Sequence, residues 1–387
     1  MAKWNKYTFE GNNKVGRGSP TDTGNVPLVP SQSALLSRSG SIQGLVPVVD
    51  ANNHPLFPCK CYVAKKLIKS RKATPFYKKG FFAIRLNKIV STPIKHRIAI
   101  AIDPGIKRTG ITVATECTII LNIQCNTPDW VKEKVEKRRH YRRFRRERLL
   151  PYRKCRLHRR LGEFAPSIKA RWNAHLRIID QLKRIIPLTD CIIEDIKAIS
   201  KPNARGWNRN FSPLEIGKRW FEEQIKSRDL IYHKYCGYET KQQRDFRGFK
   251  KVSNKLADVW GAHCVDSHCL IELLYGNLTP LKHMYLLTFL QFNRRELHKN
   301  YKRGGFKPKN GSTRSLGLNR GSLVIHTKYG LTYIGGTRKN TLLSLHSLFG
   351  VRVYQYARKE DCKILTKQSW RILTSTQKEK LCRTSSC

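Results

Sequence analysis

The chain has 387 residues, with 76 Lys and Arg against 27 Asp and Glu, for a formal net charge of +49. That length allows one large core or two to three small domains. A clustered excess of this size repels itself unless a polyanion neutralises it, which disfavours a merely soluble basic protein and fits a long nucleic acid better than an acidic protein patch.

Residues 1–40, rich in Ser, Gly, Asn and Pro, read as mostly disordered, and nothing in them demands a transit peptide. Val46, Val48 and Val49 then suggest a strand, Asp50 to Asn53 a turn before a Pro-bounded segment, and residues 61–73 a short basic helix. In residues 97–115, Ile98, Ile100 and Ile102 alternate with alanines as in a buried strand. Pro104-Gly105 and Thr109-Gly110 bracket a tight turn, and a second strand starts at Gly110. Residues 117–124 read as a third strand, completing the opening of an antiparallel meander. Between Lys137 and Arg160 the only acid is Glu147, and Tyr141, Phe144 and Tyr152 interleave with the arginines. We read 130–149 as a helix interrupted at Pro151. A solvated face normally mixes both signs, so a nucleic-acid-binding helix is favoured.

Ile168, Trp172, Leu176, Ile179, Leu182 and Ile186 recur at helical spacing and mark a core-facing helix over 167–186. Residues 190–196 form a short buried strand ending in acids. Residues 213–227 form a helix with Pro near its first turn, 230–240 suggest a strand, and 255–274 form one more helix. From about residue 285 short strands joined by Gly-rich turns suggest a separate, basic, β-rich domain. No apolar run is long enough to span a bilayer, and the start of the chain lacks the apolar stretch of a secretory signal. The 12 cysteines are scattered without a Cys-x-x-Cys pair. Cys59 and Cys61 are too isolated for a zinc site, and free thiols in a reducing compartment are the simpler reading.

Three acids stand out by context. Asp103 and Glu194 each end a hydrophobic strand, and Asp266 lies in the last predicted helix with His263 one turn before it. A carboxylate at the end of a buried strand costs desolvation unless a cation or donor compensates it. Three converging carboxylates repel without metal, and with two divalent ions they make an oxygen cage suited to Mg²⁺, with Mn²⁺ as a substitute. Such a pair activates water on one side of a phosphate and stabilises the leaving oxygen on the other. On one helix His263 and Asp266 share a face at i and i+3, so His263 could position the water or the leaving group. Taken singly these features are weak: a lone Asp after a strand is more often a turn residue, and a lone His more often a core residue. Asp195 competes with Glu194, although strand alternation sends the two to opposite faces.

The order of these segments resembles a known family. Residues 99–113, AIAIDPGIKRTGITV, resemble a first RuvC segment, IIEDI at 192–196 a second, and AHCVDSHCL at 262–270 a third. The basic run from Lys137 is similar to the arginine-rich bridge helix of RNA-guided nucleases. Residues 46–59 resemble the N-terminal PLMP segment of the transposon-encoded IscB family, with Phe57 in place of Met. The resemblance covers roughly 41–370. IscB proteins carry an HNH nuclease domain between the second and third segments. Here that interval holds His233, Cys236 and His263 but no His-Asn-His arrangement and no paired zinc cysteines, and it reads as one helix, one strand and a basic turn. The chain therefore resembles IsrB, the HNH-less relative.

The resemblance implies an α/β fold, with a RuvC/RNase H-like core split by the bridge helix. It divides the chain into the segment 1–40, a PLMP-like module at 41–95, the first RuvC segment at 96–128, the bridge helix at 129–162, the second and third segments at 163–278, and a β-rich basic module at 279–387. It implies an RNA-guided endodeoxyribonuclease that nicks the non-target strand with two Mg²⁺ ions. The metal ligands would be Asp103, Glu194 and Asp266, with His263 as a further catalytic residue. Guide phosphates would be held by Arg138, Arg139, Arg142, Arg143, Arg145, Arg146, Arg148, Arg153 and Arg156. The partners are a guide RNA and a double-stranded DNA target with an adjacent motif, and the 279–387 module, including residues 294–305 and 319–324, would meet the RNA and the target-adjacent duplex. The particle is expected to be a monomeric ribonucleoprotein away from membranes, in a bacterial cytoplasm or nucleoid or in an organelle such as a plastid. Two alternatives remain: a guide-independent RuvC-like nuclease acting on branched DNA, and a catalytically silent RNA-binding protein.

Overall fold

The computed structural model describes residues 45–91, 96–128, 130–149, 165–195, 215–254, 256–290, 314–338 and 341–374. The expectation of disorder over 1–40, and residues 150–164 and 294–305, lie outside the described residues. The fold is mixed α/β with several sheets.

In chain order, β1 (Leu45–Val49) and β2 (Pro55–Lys60) form a hairpin, α1 spans Cys61–Lys69, and β3 (Ala73–Lys78) and β4 (Phe81–Leu86) form a second hairpin. These strands make a sheet ordered β2-β1-β4-β3, with β1 and β4 parallel. The second hairpin escaped the sequence reading. Its turn uses Lys79 at φ 53° and Gly80 at φ 95°, the left-handed pair that two-residue hairpin turns require.

A meander follows, with β5 (Ile98–Asp103), β6 (Arg108–Thr115) and β7 (Ile119–Asn126) pairing antiparallel. Next are α2 (Val131–Glu147), α3 (Pro166–Leu182), β8 (Asp190–Asp195), α4 (Lys218–Lys226), β9 (Ile231–Cys236), α5 (Gly237–Phe246), α6 (Trp260–His263), α7 (Val265–Tyr275) and β10 (Tyr285–Phe289). The remaining strands are β11 (Arg314–Ser315), β12 (Leu318–Asn319), β13 (Leu323–His326), β14 (Gly330–Arg338), β15 (Leu342–His346), β16 (Arg352–Ala357), β17 (Cys362–Thr366) and β18 (Trp370–Thr374).

The central sheet is ordered β18-β10-β7-β6-β5-β8-β9. β8 runs parallel to β5 and β9, and β10 runs parallel to β7. One face is covered by α3 and α4, whose Trp172, Leu176, Ile179, Leu182, Phe221 and Ile225 pack on Ile98, Ile100, Ile102, Ile111 and Ile123. On the other face α7 lays Leu270 and Ile271 over Ala99, Ala101, Ala114 and Ile192. The alanines explain why a helix can come so close there. Every residue from Val265 to Glu272 is buried, as expected of a helix covered on all sides.

Three expectations change. The interval between Glu194 and Asp266 holds a second helix, α5, where the sequence suggested only a turn. The single helix over 255–274 is two, α6 and α7, meeting at Cys264, so His263 and Asp266 do not share one continuous helical face. The boundary drawn at 279 does not follow the sheets. β13 to β17 form their own five-stranded sheet, but β10 and β18, at either end of that stretch, extend the central sheet.

A candidate carboxylate site

Strand parity decides which carboxylates meet. Ala99 and Ala101 face α7, and Asp103 continues their row. On β8, Ile193 packs in the α3 core and Ile192 in the α7 core, so Glu194 shares the α7 side. β5 and β8 are parallel neighbours with Ile102 beside Ile193, and the next residues, Asp103 and Glu194, end the two strands side by side. Asp195 points to the other face, where Lys218 reaches its Oδ1 at 2.7 Å.

Asp103 and Glu194 share a side-chain hydrogen bond, and Asp266 acts electrostatically on both. Burial, then the charges of Glu194 and Asp266, hold the Asp103 carboxyl well above the ordinary carboxylate range. Burial, with the charge of Asp266, also raises Glu194. The two carboxyls are coupled, so their titration belongs to the pair rather than to either residue.

Asp266 is buried in the first turn of α7, where the free backbone amides favour a carboxylate. Arg244 on α5 donates to its Oδ1 at 2.7 Å, and the Lys251 ammonium pairs with its Oδ2. The sequence reading missed both cations. A buried acid without a partner is costly, so a counter-charge was to be expected, but no local pattern marked which bases supply it. Gly237 opens α5 beside Glu194: a Cβ there would stand 3.2 Å from Glu194 Oε1.

Gly110 pairs with Asp103 across β5 and β6. A Cβ on it would lie 1.8 Å from the backbone oxygen of His263 and 2.7 Å from the carbonyl carbon. Only glycine lets the α6–α7 junction rest on the sheet here, and that contact delivers Asp266 to the strand ends. His263 is half-buried, with Arg108 Nη1 3.5 Å from its Nε2. Arg108 in turn holds Asp258 at 3.1 Å and the Ala257 carbonyl at 3.1 Å. The turn after Asp103 is pinned by Thr109, whose Oγ1 is 3.3 Å from Gly105 N and 3.0 Å from His175 Nε2.

The structure thus brings together Asp103, Glu194 and Asp266 and sets His263 at the adjoining junction. It does not bring His233 there. His233 Nε2 is 2.8 Å from Asp190 Oδ1, and Asp190, at the opposite end of β8, also receives Arg97 at 2.5 Å. Arg138, Arg139, Arg142, Arg143, Arg146 and Arg148 are exposed on α2 and its C-terminal cap. The side chain of Arg145, and all of Arg153 and Arg156, lie outside the described residues. Cys59 and Cys61 are free thiols, and burial pushes Cys59 up to about 11, away from the thiolate a zinc ligand requires.

Among the described residues no three His, Cys, Asp or Glu side chains stand as ready ligands around one point. Asp103 and Glu194 instead face one another, and Asp266 is held by the cations of Arg244 and Lys251. The donor set itself, carboxylate oxygens only, suits a hard divalent cation such as Mg²⁺, and the raised Asp103 and Glu194 are what acids facing one another without such a charge show. Among the described residues no helix is long and apolar enough to cross a membrane.

A family model described as "RRXRR protein" matches residues 46–210. That range contains the literal string Arg142-Arg143-Phe144-Arg145-Arg146. No curated protein matches the chain. Among solved structures, the T. thermophilus RuvC in complex with Holliday junction substrate is 13% identical, over 45% of this chain and 90% of that one, with a TM-score of 0.24. At that TM-score the likeness carries no argument, and what stands is a chain whose residues 46–210 are similar to the RRXRR proteins.

Proposed function

We propose that this protein is a metal-dependent, RNA-guided endodeoxyribonuclease of the RuvC, RNase H-like class, closest to the IsrB type, and that it nicks the non-target strand. The observation that carries the reading is the meeting of Asp103 and Glu194, from adjacent parallel strands, with Asp266 from the helix packed across them. The three-stranded meander extended by two parallel strands supports the RNase H-like reading of the frame.

Asp103, Glu194 and Asp266 would hold the divalent ions. Divalent cations held there would supply the activation of a water and the stabilisation of the leaving oxygen of a phosphodiester. The chain's own contribution is orientation. Strand register fixes Asp103 and Glu194, Arg244 fixes one oxygen of Asp266, and Arg108 fixes His263, which we assign to positioning the water or leaving group. The exposed arginines of α2 would take guide phosphates, while base pairing supplies sequence and the protein reads backbone and a short adjacent motif.

One carboxylate site handles one phosphodiester at a time. The displaced strand stays free to enter it while the target strand is locked against the guide. RNA that co-purifies with the protein is sequenced, and a supercoiled plasmid bearing the matching target is incubated with the ribonucleoprotein and Mg²⁺. The expected product is an open circle with breaks mapped to the displaced strand, lost in Asp103→Ala, Glu194→Ala and Asp266→Ala. Equal nicking by RNA-free protein would move the assignment to a branched-DNA nuclease, and intact cutting by Asp103→Ala would remove the site.

A further inference from the structure

Asp266 carries two cations of different character. Arg244 sits on α5, with a side chain only 18% exposed and a 2.7 Å bond to Oδ1. Lys251 pairs with Oδ2 from the loop that follows α5, and its side chain is 44% exposed. The backbone on either side of Lys251 is tethered. Phe249 is packed edge-on against Trp260 at 5.7 Å and His268 at 5.4 Å, and Val252 N donates to Gly261 O at 2.9 Å. Arg247, two residues before Phe249, holds buried Glu272 at 3.1 Å. The loop is therefore positioned, while the flexible lysine stem is free to turn toward solvent.

Lys251 also acts electrostatically on Asp103 and Glu194. Its ammonium thus acts on all three acids from a side chain that borders solvent. Arg244 and Lys251 together place two positive charges on the single carboxylate of Asp266. A divalent ion entering this cluster would meet a like charge in contact with one of its ligands, which is strongly unfavourable in a partly buried setting.

We propose that Lys251 is a resident counter-ion of the carboxylate site: it holds Asp266 in the metal-free protein and is displaced into solvent when a divalent cation binds. Arg244 stays and keeps Asp266 oriented through the exchange. Lys251 is a positioning residue in this role. The inference rests on the reading of the three acids as a divalent-cation site.

The test uses the full-length protein and Mn²⁺ alone, without nucleic acid. Calorimetric titration compares wild type, Lys251→Met, Lys251→Gln and Asp266→Asn, with circular dichroism to establish that each is folded. Both Lys251 variants are expected to bind Mn²⁺ roughly tenfold tighter or more, since each removes a like charge in contact with a ligand. In parallel, wild-type protein is acylated with an amine-reactive ester, and modification of Lys251 is quantified by peptide mass spectrometry. Lys251 is expected to label slowly without metal and severalfold faster with saturating Mn²⁺. The proposal is overturned if Mn²⁺ binding is abolished by Asp266→Asn yet unchanged or weaker in both Lys251 variants, or if labelling of Lys251 does not rise. Unaltered Mn²⁺ binding by Asp266→Asn would instead sink the metal-site reading beneath it.

Discussion

Asp103 is expensive to ionise where it stands. Its carboxyl is raised by burial first and by Glu194 and Asp266 next, so at neutral pH without metal the folded protein either ionises it against its neighbours or holds a proton that the unfolded chain would release. In both cases it costs stability. Asp103→Asn removes that cost and keeps the shape. We expect the variant to melt higher than wild type in EDTA, by about 1 °C for each kcal/mol relieved in a chain of this size, and to gain nothing from Mn²⁺. A lower melting point in EDTA would contradict the electrostatic account. His175 gives the opposite lesson. Burial lowers its imidazole to about 4, below the ordinary value near 6.5, so the folded protein keeps it neutral while the unfolded chain takes up a proton. Stability is therefore lost as pH falls from about 6.5 to about 4, by on the order of 3 kcal/mol. Urea midpoints measured across that window should slope less in His175→Gln, which can keep a bond to Thr109 without titrating, and equal slopes would rule His175 out as a source.

Two elements show how sequence chemistry sets their surroundings. α2 has almost no apolar content, and its described arginine side chains are exposed. Such a helix draws no stability from a core and is suited to a polyanion that takes its charge. The α6–α7 junction is the reverse, pressed so closely on β6 that only Gly110 fits beneath it. Gly110→Ala is expected to destabilise the protein by about 3 kcal/mol or more, because the obstacle is backbone rather than a movable side chain. It should also part Asp266 from the strand ends and so abolish nicking. Urea unfolding and the plasmid assay together check this, and a wild-type melt with full activity would mean that the junction does not sit on the sheet as described.

At the scale of the whole molecule, the sheets cross the sequence divisions. Leu287 and Trp370, from β10 and β18, are fully buried in the central core. Trp370 Nε1 also donates to Lys79 O at 2.7 Å, tying the tip of the N-terminal hairpin to the same edge. The Cβ missing from Gly80 would strike Ile372 at 2.2 Å, so that contact is close. A fragment ending at residue 278 would leave β7 as an open edge and its apolar face uncovered, a template for aggregation. We expect it to be insoluble or to lack a cooperative thermal transition, where the full chain shows one. A soluble, cooperatively melting 1–278 fragment would show that the final strands are an appendage.

By itself the sequence determined what periodicity and composition encode. The alternation of Ile98, Ile100 and Ile102 with alanines made β5 legible, the acid at its end was conspicuous for its cost, and the arginine run could not pack in a core. The parity that sends Glu194 and Asp195 to opposite faces was legible too, because it is local. What only the tertiary structure decided was non-local. Which strands lie side by side, which helix crosses them, and that β10 and β18 close the central sheet depend on pairings between distant segments that short-range patterns do not specify. Arg244 and Lys251 were hidden for the same reason. Among 76 basic residues nothing distinguished these two until the fold laid α5 and its following loop against α7, where a buried carboxylate demanded a counter-charge.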